Sequence, residues 1–215
     1  MKRLAAILLA AGASRRFADG EKLTAELASR PLTDWLFATV ESLGLAQTIV
    51  VMRPDASDEL QKLARLRGAR VVVNQNAGAG VGASIAVGVA ALKDVEGAFI
   101  CPADMPLLTA QNFSETAAAF FEGGDADIAA PHCQGRRGHP VLFGKRHFPA
   151  LRNLSGDVGA QTVIERAQGA LRLIETDDEA VLFDVDAPSG LVEAEKLLAL
   201  RARFVSRGLT SRRAT

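Results

Sequence analysis

Two hydrophobic patterns alternate along the chain. Short, continuous apolar runs such as Leu4–Ala10 have the length of strands buried on both faces of a sheet. Between these runs, apolar residues recur at helical spacing, first over residues 32–43, where Gly44 supplies a stop signal. The pattern therefore predicts strands and amphipathic helices in alternation.

The same alternation continues through most of the sequence. Short connections between strands and helices favour a parallel sheet covered on both faces, so we expect an α/β fold with three layers and a mostly parallel, doubly wound sheet. Ligands of such sheets bind at the carboxyl ends of the strands. The further predicted strands are 48–52, 69–73, 97–101 and 128–130, and the further predicted helices are 55 or 57 to 67, 84–92, 110–121 and 192–204.

The length of the chain suits one domain. A chain of 215 residues can fill one core but is short for two. We expect a single domain over residues 1–205. Residues 206–215 contain three arginines and no apolar periodicity, which is typical of a disordered tail.

Charge and cysteine content exclude several classes of function. Twenty-five basic residues balance 25 acidic ones, so no overall field attracts nucleic acid or an anionic membrane. No apolar run reaches the roughly 18 residues of a membrane span, and the first run is too short for a signal peptide. Cys101 and Cys133 form no metal or disulfide motif. These features predict a cytoplasmic protein.

The loop after the first strand has the composition of a phosphate site. Residues 11–14 all have small side chains, which let backbone N–H groups approach a ligand, and Arg15, Arg16 and Lys22 follow. The spacing fits neither a dinucleotide fingerprint nor a P-loop. A surface turn with solvated basic residues is the alternative.

A second small-residue loop, residues 74–84, precedes the third predicted helix. Gly80 and Gly82 permit close backbone approach, while Asn74, Asn76 and Ser84 carry neutral groups that can hydrogen-bond a base or a ribose. Because Asn and Gly also dominate ordinary turns, a plain connection is the alternative.

Asp104 is the strongest metal-ligand candidate. It lies between Pro102 and Pro106, directly after an apolar strand, where a carboxylate has no evident packing role. Mg²⁺ prefers one or two such carboxylates together with phosphate oxygens. The alternative is an N-cap of the next helix, for which Thr109 is better placed.

Residues 7–23 resemble the signature of the molybdenum-cofactor type of nucleotidyltransferase, within the MobA-like NTP transferase family. Four later segments fit in the same order: the second loop, residues 102–106, the run 138–143 with 156–160, and residues 183–188. Ala18 replaces a frequent glycine, and residues 19–21 are consistent with one extra residue. In the signature itself, the matching positions are Leu9, Ala10, Ala11, Gly12, Ser14, Arg16, Phe17, Lys22 and Leu23.

This resemblance implies a Rossmann-like nucleotidyltransferase fold and a role for each matching position. It assigns catalysis to Arg16, Lys22 and Asp104, and Mg²⁺ binding to Asp104 and Asp186, with Asp184 in a structural or supporting role. The positions that it implies for the nucleotide and the pterin cofactor are Leu9, Ala10, Ala11, Gly12, Asn76, Gly80, Ser84, Gly138, His139, Pro140 and Asp157.

The implied activity is transfer of CMP from CTP to the terminal phosphate of the molybdopterin form of the molybdenum cofactor. Ala11 stands where guanylyl-transferring relatives tend to have glycine, which favours CTP. The implied protein partner, in transient contact, is a molybdoenzyme or its chaperone. A guanylyltransferase, a transferase for another phosphorylated acceptor and a non-catalytic cofactor carrier stay open. A carrier would not need both carboxylates and Lys22, so catalysis is favoured.

Overall fold

The computed structural model describes residues 1–12, 16–17, 21–122, 127–167 and 169–211, and for residues 203–211 the backbone alone. The sequence features at Ser14, Arg15 and Ala18, and the end of the chain from residue 212, lie outside this part. No helix of the described residues is both long and apolar enough to cross a bilayer.

One eight-stranded mixed sheet organises the molecule, in the order β10-β7-β9-β6-β1-β4-β5, with β8 paired to β7 and a separate β2–β3 hairpin. Its central pairs β6–β1 and β1–β4 are parallel, and among the described strands of this sheet β9 and β8 alone run against their neighbours. The strands are β1 Leu4–Ala10, β2 Glu26–Leu27, β3 Arg30–Pro31, β4 Gln47–Met52, β5 Arg70–Val73, β6 Gly97–Pro102, β7 Ile128–Cys133, β8 Arg136–Arg137, β9 Val141–Gly144 and β10 Leu171–Glu175.

Helices cover both faces of this sheet. Along β1, Leu4 and Leu8 pack into one core cluster while Ala5 and Ile7 pack into the other, as the two-residue period of a strand requires. The first cluster includes residues of α1, α2, α4 and α7, and the second includes residues of α3, α5 and α6. The helices are α1 Leu32–Ser42, α2 Asp58–Leu66, α3 Val81–Ala90, α4 Ala110–Glu122, α5 Phe148–Arg152, α6 Gln161–Arg166 and α7 Pro188–Ser211.

The three-layer, mostly parallel architecture confirms the predicted fold class, and β1 has its predicted bounds. The last helix differs most from its prediction. It begins at Pro188 and continues through Ser211, whereas the sequence predicted 192–204 and a tail from residue 206. Proline suits the first helical position because its missing N–H has no partner there.

The reversed strand β9 is important for the site. Val141 at the start of β9 pairs with Ile100 near the end of β6. Because β9 is antiparallel to β6, the segment that precedes it, residues 138–140, lies at the same sheet edge as the carboxyl ends of β1, β4 and β6. That edge therefore collects loops from both directions of the chain.

Candidate active site

A polar cleft of about 570 Å³ opens at this edge, between the loops that follow β1, β4, β5 and β6. It contains seven of the residues that the sequence singled out. Ala10, Asn76 and Pro140 are not among the described residues that line it. The lining residues are Leu9, Ala11, Gly12, Arg53, Pro54, Asp55, Gln75, Ala77, Gly78, Gly80, Val81, Ser84, Pro102, Asp104 and Asp157.

Lys22 and Asp104 form a mostly buried ion pair beside the cleft. The Lys22 ammonium donates to Oδ2 of Asp104, and the two side chains are only 13% and 16% exposed. Lys22 Nζ also lies 3.8 Å from Oδ1 of Asp186, whose Oδ2 is 3.2 Å from Arg16 Nη1. The structure thus brings together all four residues that the sequence assigned to catalysis and metal binding.

Asp184 completes an acidic cluster with Asp104 and Asp186. One oxygen from each of these carboxylates lies within 4.8 Å of the others. Partial burial, together with the charges of Asp186 and Asp104, raises the pKa of Asp184. Its position makes this residue a third candidate metal ligand, beyond the supporting role that the resemblance implied.

The acidic cluster fits a hard divalent cation such as Mg²⁺. Oδ1 of Asp104 is buried and has no hydrogen-bond partner among the described residues. A buried carboxylate oxygen without a partner is costly unless a ligand or an ion satisfies it. Mg²⁺ is bound by oxygen ligands, and this set provides three carboxylates at one point.

Hydrogen bonds hold the two acidic segments in place. The N–H of Val185 donates to the carbonyl of Asp104 at 3.0 Å, and Thr33 Oγ1 donates to the carbonyl of Ala103 at 2.9 Å. Asp104 is not used as a helix cap, since Thr109 Oγ1 accepts from the N–H of Asn112 at the start of α4. This confirms the expectation that Thr109, not Asp104, caps that helix.

The turn that carries Lys22, residues Lys22–Thr24, is fixed to α2 through Glu21. Oε2 of Glu21 accepts from the N–H and the hydroxyl of Ser57, at 3.2 Å and 2.5 Å, and Ser57 is the N-cap of α2. Arg53 also approaches Glu21, at 3.9 Å, and Asp55, at 3.3 Å. Sequence reasoning did not select Arg53 or Asp55, although they follow β4 at the ligand-binding edge.

The second small-residue loop packs against residues 155–158. Gly80 has φ +103°, and a Cβ at this position would collide with Asp157 and Gly156. The N–H of Gly82 donates to the carbonyl of Gly156 at 2.9 Å. The glycines therefore serve the contact between two loops, a packing role beside the close ligand approach that the sequence suggested.

Ser84 is presented to the cleft by a buried asparagine. Its hydroxyl oxygen accepts from Asn74 Nδ2 at 3.0 Å, and Oδ1 of Asn74 accepts from the N–H of Asn76 at 2.9 Å. Because Ser84 accepts from Asn74, its own O–H can donate to a ligand. Asn76 contributes through its backbone to the shape of this loop.

A smaller, mainly apolar pocket of about 240 Å³ adjoins the cleft, with Leu9, Val81 and Pro102 common to both. We call it the side pocket. It places His139 apart from the cleft residues. Its other lining residues are Ile85, Ile100, Arg137, Val141, Phe143, Gly159, Ala160, Gln161 and Ile164.

His139 is neutral at physiological pH. Burial lowers its pKa to about 4, against the opposing effect of a 3.3 Å contact between Nδ1 and the carbonyl of Ile100. Neutral imidazole with Nδ1–H donating to Ile100 leaves Nε2 as an acceptor. Gly138 has a packing role, since a Cβ there would meet the carbonyl of Val181, which accepts from the N–H of His139 at 2.8 Å.

Comparison with known proteins gives one family match. The model described as the MobA-like NTP transferase domain matches residues 6–172. The chain is 28% identical over 185 residues to nicotine blue oxidoreductase of Paenarthrobacter nicotinovorans, covering 84% of the chain and 90% of the relative. It is 29% identical over 199 residues to the purine catabolism protein PucB of Bacillus subtilis, covering 86% and 92%.

Solved structures share the fold. A homologue of Mycobacterium tuberculosis Rv0371c, from Mycobacterium sp. strain JC1, superposes with a TM-score of 0.77 at 27% identity, over 94% of this chain and 98% of that one. Rv0371c in complex with manganese gives 0.75 at 20% identity, over 90% and 98%. Molybdopterin-guanine dinucleotide biosynthesis protein A of Archaeoglobus fulgidus gives 0.63 at 17% identity, over 91% and 98%.

Proposed function

Because the chain belongs to the MobA-like NTP transferase family, we propose that it transfers CMP from CTP to the terminal phosphate of the molybdopterin form of the molybdenum cofactor, with release of pyrophosphate. One observation carries this proposal. The acidic cluster and Lys22 lie beside the polar cleft, and the side pocket adjoins the same cleft. We assign the nucleotide to the cleft and the acceptor to the side pocket.

We infer the direction of the nucleotide from the order of the strands. Asp104 follows β6, Ala11 and Gly12 follow β1, and Arg53 follows β4, in that order across the sheet. Neighbouring strands are about 4.8 Å apart, so the loops after β6 and β4 are separated by roughly 10 Å, a distance that a nucleoside phosphate can span. We place the α-phosphate near Asp104 and the base towards the loops after β4 and β5.

The protein's own groups contribute position and charge. An oxygen of the acceptor phosphate attacks the α-phosphorus in line, and the bond to the leaving pyrophosphate breaks. The positive charges of Lys22 and Arg16 stabilise the negative charge of the pyrophosphate. Asp104 and Asp186, with Asp184 beside them, would hold Mg²⁺, which neutralises phosphate oxygens when it is bound.

Two comparisons support parts of this proposal. The manganese complex of Rv0371c, whose fold this chain shares, supports the use of a divalent cation, for which we propose the acidic cluster as the site. The structural neighbour that takes part in molybdopterin-guanine dinucleotide biosynthesis supports a pterin cofactor as the acceptor. The choice of CTP rests on Ala11, which lines the cleft. A cytoplasmic location and transient contact with a molybdoenzyme or its chaperone are part of the same proposal.

Pyrophosphate release tests the proposal directly. Purified protein is incubated with Mg²⁺, the molybdenum cofactor and either CTP or GTP. Release with CTP and formation of the cytosine dinucleotide are expected. Release with GTP alone would identify a guanylyltransferase, and release only with another phosphorylated acceptor would replace the pterin. Retention of the cofactor without release from either triphosphate would identify a carrier.

A further inference from the structure

Arg137 in β8 has an unusual environment for an arginine. It is half-buried in the wall of the side pocket, and its guanidinium makes no hydrogen bond or ion pair with any residue that the structure describes. Among the described carboxylates, Glu165 is the one that acts on its charge, and Oε1 of Glu165 accepts from Gln161 at 2.7 Å. Although burial lowers the pKa of Arg137, a guanidinium stays charged at neutral pH.

The neighbouring Arg136 shows what is special about this position. It belongs to the same short strand but is exposed. Side chains of consecutive strand residues point to opposite faces, so Arg136 and Arg137 have equal charge and different surroundings. The pair provides a built-in control for any effect of positive charge in this region.

The rest of the side pocket is mainly apolar. Its walls include the apolar side chains of Ile85, Val141, Phe143 and Ile164. No nitrogen of the Arg137 guanidinium is among the fully buried, unpaired atoms of the described residues, so the group is open to solvent and to an anionic ligand that enters the pocket. The pocket therefore suits a ligand with an apolar or planar body and one anionic group.

We infer that Arg137 binds the acceptor phosphate and thereby restricts the acceptor to phosphate monoesters that carry a planar or apolar body. This inference rests on the proposed function and names the feature of the acceptor that the protein recognises. The planar fork of arginine donates two parallel hydrogen bonds to a phosphate, which a lysine cannot match. Leu9, Val81 and Pro102 line both cavities, so a ligand in the pocket lies next to the cleft.

The first test needs neither CTP nor the pterin cofactor. Inorganic phosphate is titrated into protein with ¹⁵N-labelled arginine, and the Nε–Hε signals are followed by NMR. The spectra of Arg137→Gln and Arg136→Gln identify the two signals by their loss. We expect a saturable shift of the Arg137 signal and little change at Arg136. Equal shifts at both positions, or no shift at Arg137, would overturn the inference.

The second test separates acceptor binding from nucleotide binding. Arg137→Gln is expected to raise the acceptor KM about tenfold to a hundredfold, the range of a lost charge-assisted contact, and to leave the CTP KM unchanged. Arg137→Lys should recover part of this loss, and Arg136→Gln should match the wild type. An equal rise of both KM values, or an unchanged acceptor KM, contradicts the role.

The two tests can fail separately. A wild type that releases no pyrophosphate from CTP and the cofactor would sink the proposed function. In that case the phosphate titration still decides whether Arg137 is an anion site. Turnover with an Arg137→Gln acceptor KM equal to the wild type would leave the proposed function standing and remove Arg137 from it.

Discussion

The polar cleft and the side pocket lie side by side at one sheet edge, yet their charges are arranged in opposite ways. Beside the cleft, Lys22 and Arg16 are paired with Asp104 and Asp186, and the acidic cluster still leaves a buried Asp104 oxygen without a partner in the part of the chain that the structure describes. In the side pocket, Arg137 is the charge without a described partner. The first region is therefore suited to a cation and the second to an anion.

Strand direction explains why two such different cavities meet. On one side of β6, the parallel strands β1, β4 and β5 deliver their following loops to the carboxyl edge, where Asp104, Gly12 and Arg53 gather. On the other side, β9 is antiparallel and starts at this edge, so its apolar side chains reach the pocket. The reversal converts a polar ligand edge into a mainly apolar one.

The largest expected effect comes from the acidic cluster. Asp104→Asn keeps the size of the side chain but removes the charge that pairs with Lys22 and that would bind a divalent cation. We expect turnover to fall on the order of a hundredfold or more while the protein stays folded. Asp177→Asn, at an exposed position, is the control. Near-normal pyrophosphate release from a folded Asp104→Asn protein would dismiss the metal site.

A smaller kinetic effect is expected from removing the positive charge of Lys22 beside the cleft. Lys22→Ala removes the ammonium that pairs with Asp104, so we expect triphosphate binding and transfer to weaken by about tenfold to a hundredfold, the range of a lost charge-assisted contact. Lys2→Ala, at the opposite end of β1, should change neither triphosphate binding nor the rate of transfer. Similar losses in both variants would mean that bulk charge, rather than position, explains the effect.

The contact between the second loop and residues 155–158 predicts that substitutions of two glycines differ in how much stability they cost. Gly80→Ala should cost roughly 1–3 kcal/mol of the free energy of unfolding, because of its left-handed backbone and its clash with Gly156 and Asp157. Gly78→Ala should cost far less, since a Cβ there meets nothing within 4 Å. Chemical denaturation measures both, and equal losses would remove the proposed packing role.

On the pocket side, His139 predicts a loss of stability in acid. Its folded pKa of about 4 lies below its unfolded value of 6.5, so between these values the unfolded chain binds more protons. Its contribution is fully present above the unfolded pKa and is lost as pH falls towards the folded one, at up to about 1.4 kcal/mol per pH unit. His139→Gln should flatten this part of the stability profile. An unchanged slope would show that His139 is not buried as a neutral group.

The sequence predicted the parallel half of the fold better than the other half. β1 is buried on both faces, and its uniform apolar run marks both of its ends. The β2–β3 hairpin was missed because its strands have two residues each and Ala28 and Ser29 adopt positive φ without the usual glycine. β10, a short edge strand with exposed residues, carries no comparable signal.

The candidate site shows the same limit. Asp104 could be selected from the sequence because an acidic residue between two prolines after an apolar strand has no packing role. The special position of Arg137 could not be predicted, since Arg136 and Arg137 are the same type of residue and differ only in which side of β8 they occupy. Local sequence patterns identify where strands end. Which cavity those ends form depends on strand pairing between distant parts of the chain, here the pairing of β9 with β6.

The smallest expected effect concerns the choice of base. Ala11 lines the cleft, and a Cβ at the adjacent Gly12 would meet nothing within 4 Å, so this part of the cleft is not tightly closed. We therefore expect Ala11→Gly to relax the CTP preference towards GTP by only a few-fold, on the order of 1 kcal/mol. Ser84→Ala should lower kcat/KM for CTP without admitting GTP, because it removes a hydrogen-bonding group and adds no useful space. The measurement is kcat/KM for both triphosphates in the wild type and the two variants. A wild type that prefers GTP would overturn the cytidylyl assignment. An unchanged ratio of the two kcat/KM values in Ala11→Gly would remove only this determinant. Arg53 and Asp55, whose side chains lie where we place the base, would then be the next determinants to test.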